Sequence, residues 1–223
     1  GYNSSNKAWV LNCHTKGVIT RNVEREFWIY GGGILGCNKM SSSNTSLYEV
    51  NATIYRCSAD LILNISDTSI GSTGNHYTIG IGGIVGFVND GCNLNVYDCY
   101  ANAIQNVTIG TTVVGLYAGG IVGYAVIGKL NGLGGVLNFS GCVSKLVNNL
   151  ANAANTLWYQ GGLAGFTENQ GANAASTTTI ENIYVSGTTN GSAQGSVKTW
   201  AWLVRKSSGN TTSNGLGILK SSG

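Results

Sequence analysis

Two short blocks alternate along this chain at an interval near forty residues, and that repetition constrains the fold more than any single motif. The first block runs Tyr30-Gly-Gly-Gly-Ile-Leu-Gly36, Gly82-Gly-Ile-Val-Gly86, Gly119-Gly-Ile-Val-Gly123 and Gly161-Gly-Leu-Ala-Gly165, with Ala201-Trp-Leu-Val-Arg205 as a degenerate fifth copy. The second block runs Val10-Leu-Asn-Cys13, Ile54-Tyr-Arg-Cys57, Val96-Tyr-Asp-Cys99, Phe139-Ser-Gly-Cys142 and Ile180-Glu-Asn-Ile183. A period of this length calls for a solenoid or a propeller before any other fold. The expected organisation is one repeat domain over 1–223, with a half repeat at 1–29, repeats at about 30–78, 79–117, 118–159 and 160–198, and a half repeat at 199–223.

Fixed side chains at fixed registers say how the copies meet. Cys13, Cys57, Cys99 and Cys142 each stand seven residues ahead of Thr20, Asn64, Asn106 and Asn149, and Asn190 continues that column. Such a column has physical meaning when copies lie directly on one another, since identical side chains then touch at the roughly 4.8 Å spacing between strands. The reading is all-β: a right-handed or left-handed β-solenoid of about five repeats, each of some 42 residues, with a five-bladed β-propeller as the alternative. Three strands are expected per copy, namely the glycine block, the Val-Tyr-x-Cys block and a segment around Val18, Ile62, Ile104 and Val147. The same stacking places Lys16 beside Asp60 and Arg56 beside Asp98, pairs of opposite sign.

Composition agrees with a folded β chain. Gly supplies 34 residues and Pro none, 43% of residues are hydrophobic, and charged residues make up 9%, far below the quarter common in globular domains. The net charge of +3 is scattered, without a basic run, so nucleic acid is not an expected partner. No apolar stretch reaches membrane-spanning length. The lack of an initiator Met at Gly1 marks a processed chain or a segment of a longer one.

The Gly83-Ile-Val-Gly86, Gly120-Ile-Val-Gly123 and Gly162-Leu-Ala-Gly165 blocks, followed at a distance by Tyr97-Asp-Cys99-Tyr100, resemble the GLUG-type repeats of secreted and surface proteins of bacteria and some protists. The resemblance covers most of residues 30–190 and departs from the pattern at the fifth copy, where Trp202 and Arg205 replace glycines. It implies an extracellular, adhesin-like repeat protein and carries over no catalytic residue.

Candidate sites follow from the columns. Asn64, Asn106, Asn149 and Asn190 are expected to form an amide ladder rather than to carry glycans, although Asn64, Asn106 and Asn190 open glycosylation sequons. Asn3, Asn44 and Asn210 open sequons in polar segments and are the expected glycan acceptors. For Cys13, Cys57, Cys99 and Cys142 two states stay open, a buried ladder of thiols or bridges between neighbouring rungs, because the expected Cβ separation exceeds what a disulfide prefers. Cys37 and Cys92 flank the variable corner of adjacent repeats and form a candidate disulfide. Tyr97, Tyr100, Trp158, Tyr159, Trp200 and Trp202 are either core filling or sugar-stacking residues.

No catalytic constellation is legible: His14 and His76 fall in different registers, and the nine acidic residues form no obvious pair. Neither a cofactor nor a metal is expected. The expected role is an extracellular structural protein, the subunit of a head-to-tail filament, appendage or surface coat. An adhesin or carbohydrate-binding module of a larger surface protein is the alternative. The chain starts in a Cys-type half repeat and stops after a Gly-type half, which suggests ends that mate between copies.

Overall fold

In a computed structural model the chain is built from β-strands, without helix among the described residues. The structure describes residues 2–3, 7–23, 28–38, 50–67, 77–89, 92–109, 114–126, 129–130, 133–152, 157–168, 177–190, 198–201, 204–206 and 213–214. Four sheets hold nearly all the strands, and each sheet takes strands from successive repeats.

The first sheet collects the Val-Tyr-x-Cys strands Ala8–Leu11, Val50–Tyr55, Cys92–Tyr97, Val136–Ser140 and Thr177–Glu181, closed by Ser213–Asn214. The second is made of His14–Val23, Ser58–Asp67, Tyr100–Ile109, Val143–Asn152 and Tyr184–Asn190. The third contains Trp28–Gly32, Tyr77–Gly82, Val114–Gly119, Leu157–Gly161 and Lys198–Ala201. The fourth contains Tyr2–Asn3, Leu35–Asn38, Val85–Val88, Val122–Val126, Ala164–Glu168 and Val204–Lys206. All pairings within these four sheets are parallel, and each strand of the four is followed along the chain by a strand of a different sheet.

Four strands per repeat replace the three expected from sequence. The glycine block is two strands, not one, because the chain bends between them at Gly83-Ile84 and its counterparts. A Cβ on Gly83 would overlap the carbonyl oxygen of Gly120 in the next repeat, and one on Gly120 would overlap that of Gly162. The column is therefore glycine because backbone touches backbone there. Gly86 has the same role further on: its Cβ would lie 2.6 Å from Gly36 O and 2.7 Å from Gly31 N, in strands of two different sheets.

A second column explains the corner between the first and second sheets. Asn12, Arg56, Asp98, Gly141 and Asn182 share the third position of the Val-Tyr-x-Cys block, with φ of 52°, 53°, 51°, 66° and 51°. Asn, Asp and Gly tolerate this left-handed conformation, whereas Arg56 adopts it at a steric cost of about 1–2 kcal/mol. Its guanidinium carbon lies 4.7 Å from the Tyr55 ring centroid rather than on Asp98, so the expected Arg56–Asp98 pair does not form. Lys16 and Asp60 do meet, at 3.8 Å, with both side chains largely solvated.

Strict alternation then fills the interior. Along Val50–Tyr55 and Cys92–Tyr97 every second side chain is buried, and Val10, Ile54, Val96, Phe139 and Ile180 stack in one inward column. These join the larger of two cores. The smaller is aromatic: Tyr30 stacks on Phe87 at 4.2 Å, Tyr117 on Tyr124 at 4.1 Å, and Tyr159 lies 4.4 Å from Phe166. It zips the third sheet to the fourth. Insertions gather at the corner between the fourth and first sheets, where Lys129–Leu130 and Leu133–Gly134 form an antiparallel pair.

Gly86→Ala is expected to cost about 2–3 kcal/mol through overpacking. Gly31→Ala, whose Cβ would meet nothing closer than Ile81 Cγ2 at 3.4 Å, should cost under about 1 kcal/mol. Urea unfolding of both variants checks the difference.

Candidate functional site

The residues singled out by the repeat register converge into ladders. In the second sheet Thr20, Asn64, Asn106, Asn149 and Asn190 are successive backbone partners. Asn64 Nδ2 donates to Thr20 Oγ1 at 3.4 Å, Asn106 Nδ2 to Asn64 Oδ1 at 2.7 Å and Asn149 Nδ2 to Asn106 Oδ1 at 2.8 Å. Asn64 and Asn106 each give one hydrogen and receive one, so the chain of bonds runs in one direction along the stack. The Asn190 side chain lies outside the described residues.

Two further ladders on the first sheet escaped the sequence reading. Asn93 Nδ2 donates to Asn51 Oδ1 at 2.7 Å, and Asn93 Oδ1 in turn accepts from the Val136 backbone N–H at 2.9 Å. Asn95 Nδ2 donates to Thr53 Oγ1 at 3.3 Å, and Asn138 Nδ2 to Asn95 Oδ1 at 2.8 Å. The signal was present three and one residues upstream of the Val-Tyr-x-Cys block, where Asn51 and Thr53 align with Asn93 and Asn95. Thr53, Asn95 and Asn138 occupy one register in successive copies.

Asn3 departs from expectation. It is only 8% exposed, and its amide donates to Asn38 Oδ1 at 2.8 Å and reaches Asn51 O at 3.5 Å, so it is not the accessible glycan acceptor read from sequence. The physical reason is that Tyr2–Asn3 adds a strand to the fourth sheet, which carries Asn3 onto Asn38. Asn44 and Asn210 lie outside the described residues.

All six cysteines are thiols, and the expected Cys37–Cys92 bridge is not formed. Cys37 stands in the fourth sheet between Tyr2 and Phe87, whereas Cys92 opens a strand of the first sheet beside Val50. Four thiols do share one corner. The backbone N–H of Cys13 donates to Cys57 Sγ and that of Cys57 to Cys99 Sγ, each at 3.4 Å. Each inner thiol also faces two carbonyl oxygens: Val10 and Tyr55 for Cys57, Ile54 and Tyr97 for Cys99, Val96 and Ser140 for Cys142. Sulfur thus gives the corner N–H groups of Cys13 and Cys57 an acceptor, while the Tyr55, Tyr97 and Ser140 carbonyls also accept backbone N–H groups of the neighbouring rung.

Burial pushes the Cys57 thiol upward, the Cys99 thiol to about 12 and the Cys142 thiol to about 11, and the Cys57 N–H only partly offsets this at Cys99. Inner thiols of this kind stay protonated and are poor nucleophiles. Cys13 is the exposed member.

The aromatic candidates are not gathered into one surface. Tyr97 is half-buried and donates its hydroxyl to Asn95 Oδ1 at 3.2 Å, while half-buried Tyr100 lies 5.8 Å from Lys145 Nζ. Tyr159 belongs to the small aromatic core, stacked on Tyr117 at 5.3 Å with parallel rings. The backbones of Trp158 and Trp200 pair with Leu116 and Gln160, their side chains lie outside the described residues, and so does Trp202.

Asn106→Ala is expected to destabilise by about 1–2 kcal/mol, since it strands Asn64 Oδ1 and Asn149 Nδ2 together. Asn22→Ala, at an exposed end of the edge strand, should change stability by less than about 0.5 kcal/mol in the same thermal melts. The thiols predict a pH effect of definite sign. Their folded values lie above the ordinary 9.0, so the stability from keeping Cys99 and Cys142 protonated is full below pH 9 and is lost as pH rises through about 11 to 12. A Cys99→Ala, Cys142→Ala double variant should show a shallower fall in unfolding free energy above pH 9 than the parent.

Comparison of the chain with protein-family models, with curated proteins and with solved structures finds no match.

Proposed function

We propose that the chain is a β-solenoid and an extracellular structural protein, the subunit of a head-to-tail filament, appendage or surface coat. The solenoid is favoured over a five-bladed propeller because each sheet is parallel and collects strands from successive repeats, whereas a blade is antiparallel and built from consecutive strands. A GLUG-type repeat protein of a cell surface fits the same architecture, and the amide and thiol ladders need no ligand to complete them.

One observation carries the filament reading. Trp9, Leu11, Val18, Ile19 and Trp28 are the large hydrophobic side chains exposed on the described surface, at 68%, 47%, 61%, 44% and 63%, and all belong to the first rung. Its strands Ala8–Leu11, His14–Val23 and Trp28–Gly32 are edge strands, paired on one side only. A cavity of about 310 Å³, lined by Ile19, Trp28, Ile29, Leu63 and Ile65 among others, lies at the same edge. Unpaired backbone beside exposed apolar surface is the template for adding another strand. A further rung, supplied by a second copy stacked head to tail, satisfies both.

No helix among the described residues is long and apolar enough to cross a membrane. A carbohydrate-binding module of a larger surface protein is the competing role, and it would use Tyr97 and Tyr100.

Coaxial stacking of about five rungs, each near 4.8 Å, gives an axial step on the order of 24 Å. Electron microscopy of concentrated protein should show fibres with that rise, and the Trp9→Lys, Trp28→Lys double variant should stay monomeric and folded. A parent chain that sediments as a monomer at high concentration would remove the filament role.

A further inference from the structure

The cysteine column has one end that differs chemically from the rest. Cys13 is exposed, whereas Cys57, Cys99 and Cys142 are at most 1% exposed. The Cys13 N–H donates to Cys57 Sγ at 3.4 Å, and the Cys13 thiol donates to the Leu11 carbonyl oxygen at 3.5 Å. In-register parallel strands hold Cα atoms about 4.8 Å apart, inside the roughly 4.4–6.8 Å range of a disulfide. The obstacle is at Cβ, where a disulfide wants about 3.5–4.5 Å.

That obstacle is not equal along the column. Cys57 and Cys99 belong to rungs paired on both sides, and closing the gap between them would shift two clamped strands. The rung of Cys13 is paired on one side only, and Cys13 stands at a corner between the short strand Ala8–Leu11 and the strand His14–Val23. It can tilt toward Cys57 without breaking a ladder above it.

We propose that Cys13 and Cys57 form a thiol–disulfide exchange pair that closes into a rung-to-rung disulfide on contact with a low-molecular-weight disulfide, while Cys99 and Cys142 remain thiols. The exposed Cys13 thiol loses its proton to solvent and attacks one sulfur of the small disulfide. That S–S bond breaks, one small thiolate leaves and takes up a proton, and Cys13 carries a mixed disulfide. The Cys57 thiol then loses its proton and attacks the Cys13 sulfur, forming the Cys13–Cys57 bond and expelling the second small thiolate, which is protonated in turn. Two protein thiols are oxidised and one small disulfide is reduced to two thiols. Burial of Cys57 makes the second step the slower one. The product staples the edge rung to the rung beneath it. The exchange concerns the first rung before a second copy stacks on it, and the dilute chain used below tests it apart from the filament reading.

The test is incubation of dilute chain with glutathione disulfide at pH 8, acid quenching, and mass spectrometry of non-reduced peptides. A glutathione adduct on Cys13 should rise first and give way to a Cys13–Cys57 linkage, with Cys99 and Cys142 unmodified. Cys57→Ser should stop at the Cys13 adduct. Cys13→Ser, an exposed change that leaves the core untouched, should give neither adduct nor linkage at Cys57. A parent chain whose Cys13 stays a thiol, one that halts at the adduct, or one that links Cys57 to Cys99 overturns the proposal.

Discussion

Parallel pairing of copy on copy, in register, is the interaction on which the rest of this structure depends. It places residue n of one repeat about 4.8 Å from its counterpart above and below, so each position meets its own kind. Every column must therefore tolerate self-contact. Amides do so because each can donate and accept, as along Asn64, Asn106 and Asn149. Thiols do so as small, weakly polar groups that fit beneath a corner, and aromatic rings do so by stacking. Glycines occupy the columns where no side chain fits.

The same rule accounts for the scarcity of charge. A column of like charges at this spacing would repel along its length, and interior columns could not hold charge at all. One column that does hold charge mixes signs and neutral groups: Lys16 faces Asp60, Asp60 accepts from Asn102 Nδ2 at 2.9 Å, and Lys145 follows. A charged fraction of 9% is thus a consequence of stacking as much as of any environment in which the protein works.

Glycine contact between neighbouring strands also separates the two cores. Where Gly86 and Gly123 bring the third and fourth sheets to backbone distance, no aliphatic layer can intervene, and the rings of Tyr30, Phe87, Tyr117 and Tyr124 close the sheets beyond that line. Gly80 occupies the tyrosine column between Tyr30 and Tyr117, and Phe87 from the fourth sheet stacks on Tyr30 there. The aromatic residues that looked available for a ligand include one, Tyr159, that this arrangement consumes.

Much was legible from residue spacing alone. The repeat, the all-β class, the register that puts Asn106 between Asn64 and Asn149, and the Lys16–Asp60 pair all follow from periodicity, because in-register stacking maps sequence offset directly onto spatial contact. What periodicity could not supply is where the chain turns within a repeat. The split of the glycine block into two strands depends on carbonyl groups of the next copy, and the failure of Arg56 to reach Asp98 depends on a left-handed corner that points its side chain at Tyr55. Burial of Asn3 and the placement of Cys37 and Cys92 in different sheets were likewise settled by contacts between segments far apart in sequence. Sequence determines which residues share a column; tertiary structure decides which face of the stack each column occupies, because that depends on how sharply each corner bends.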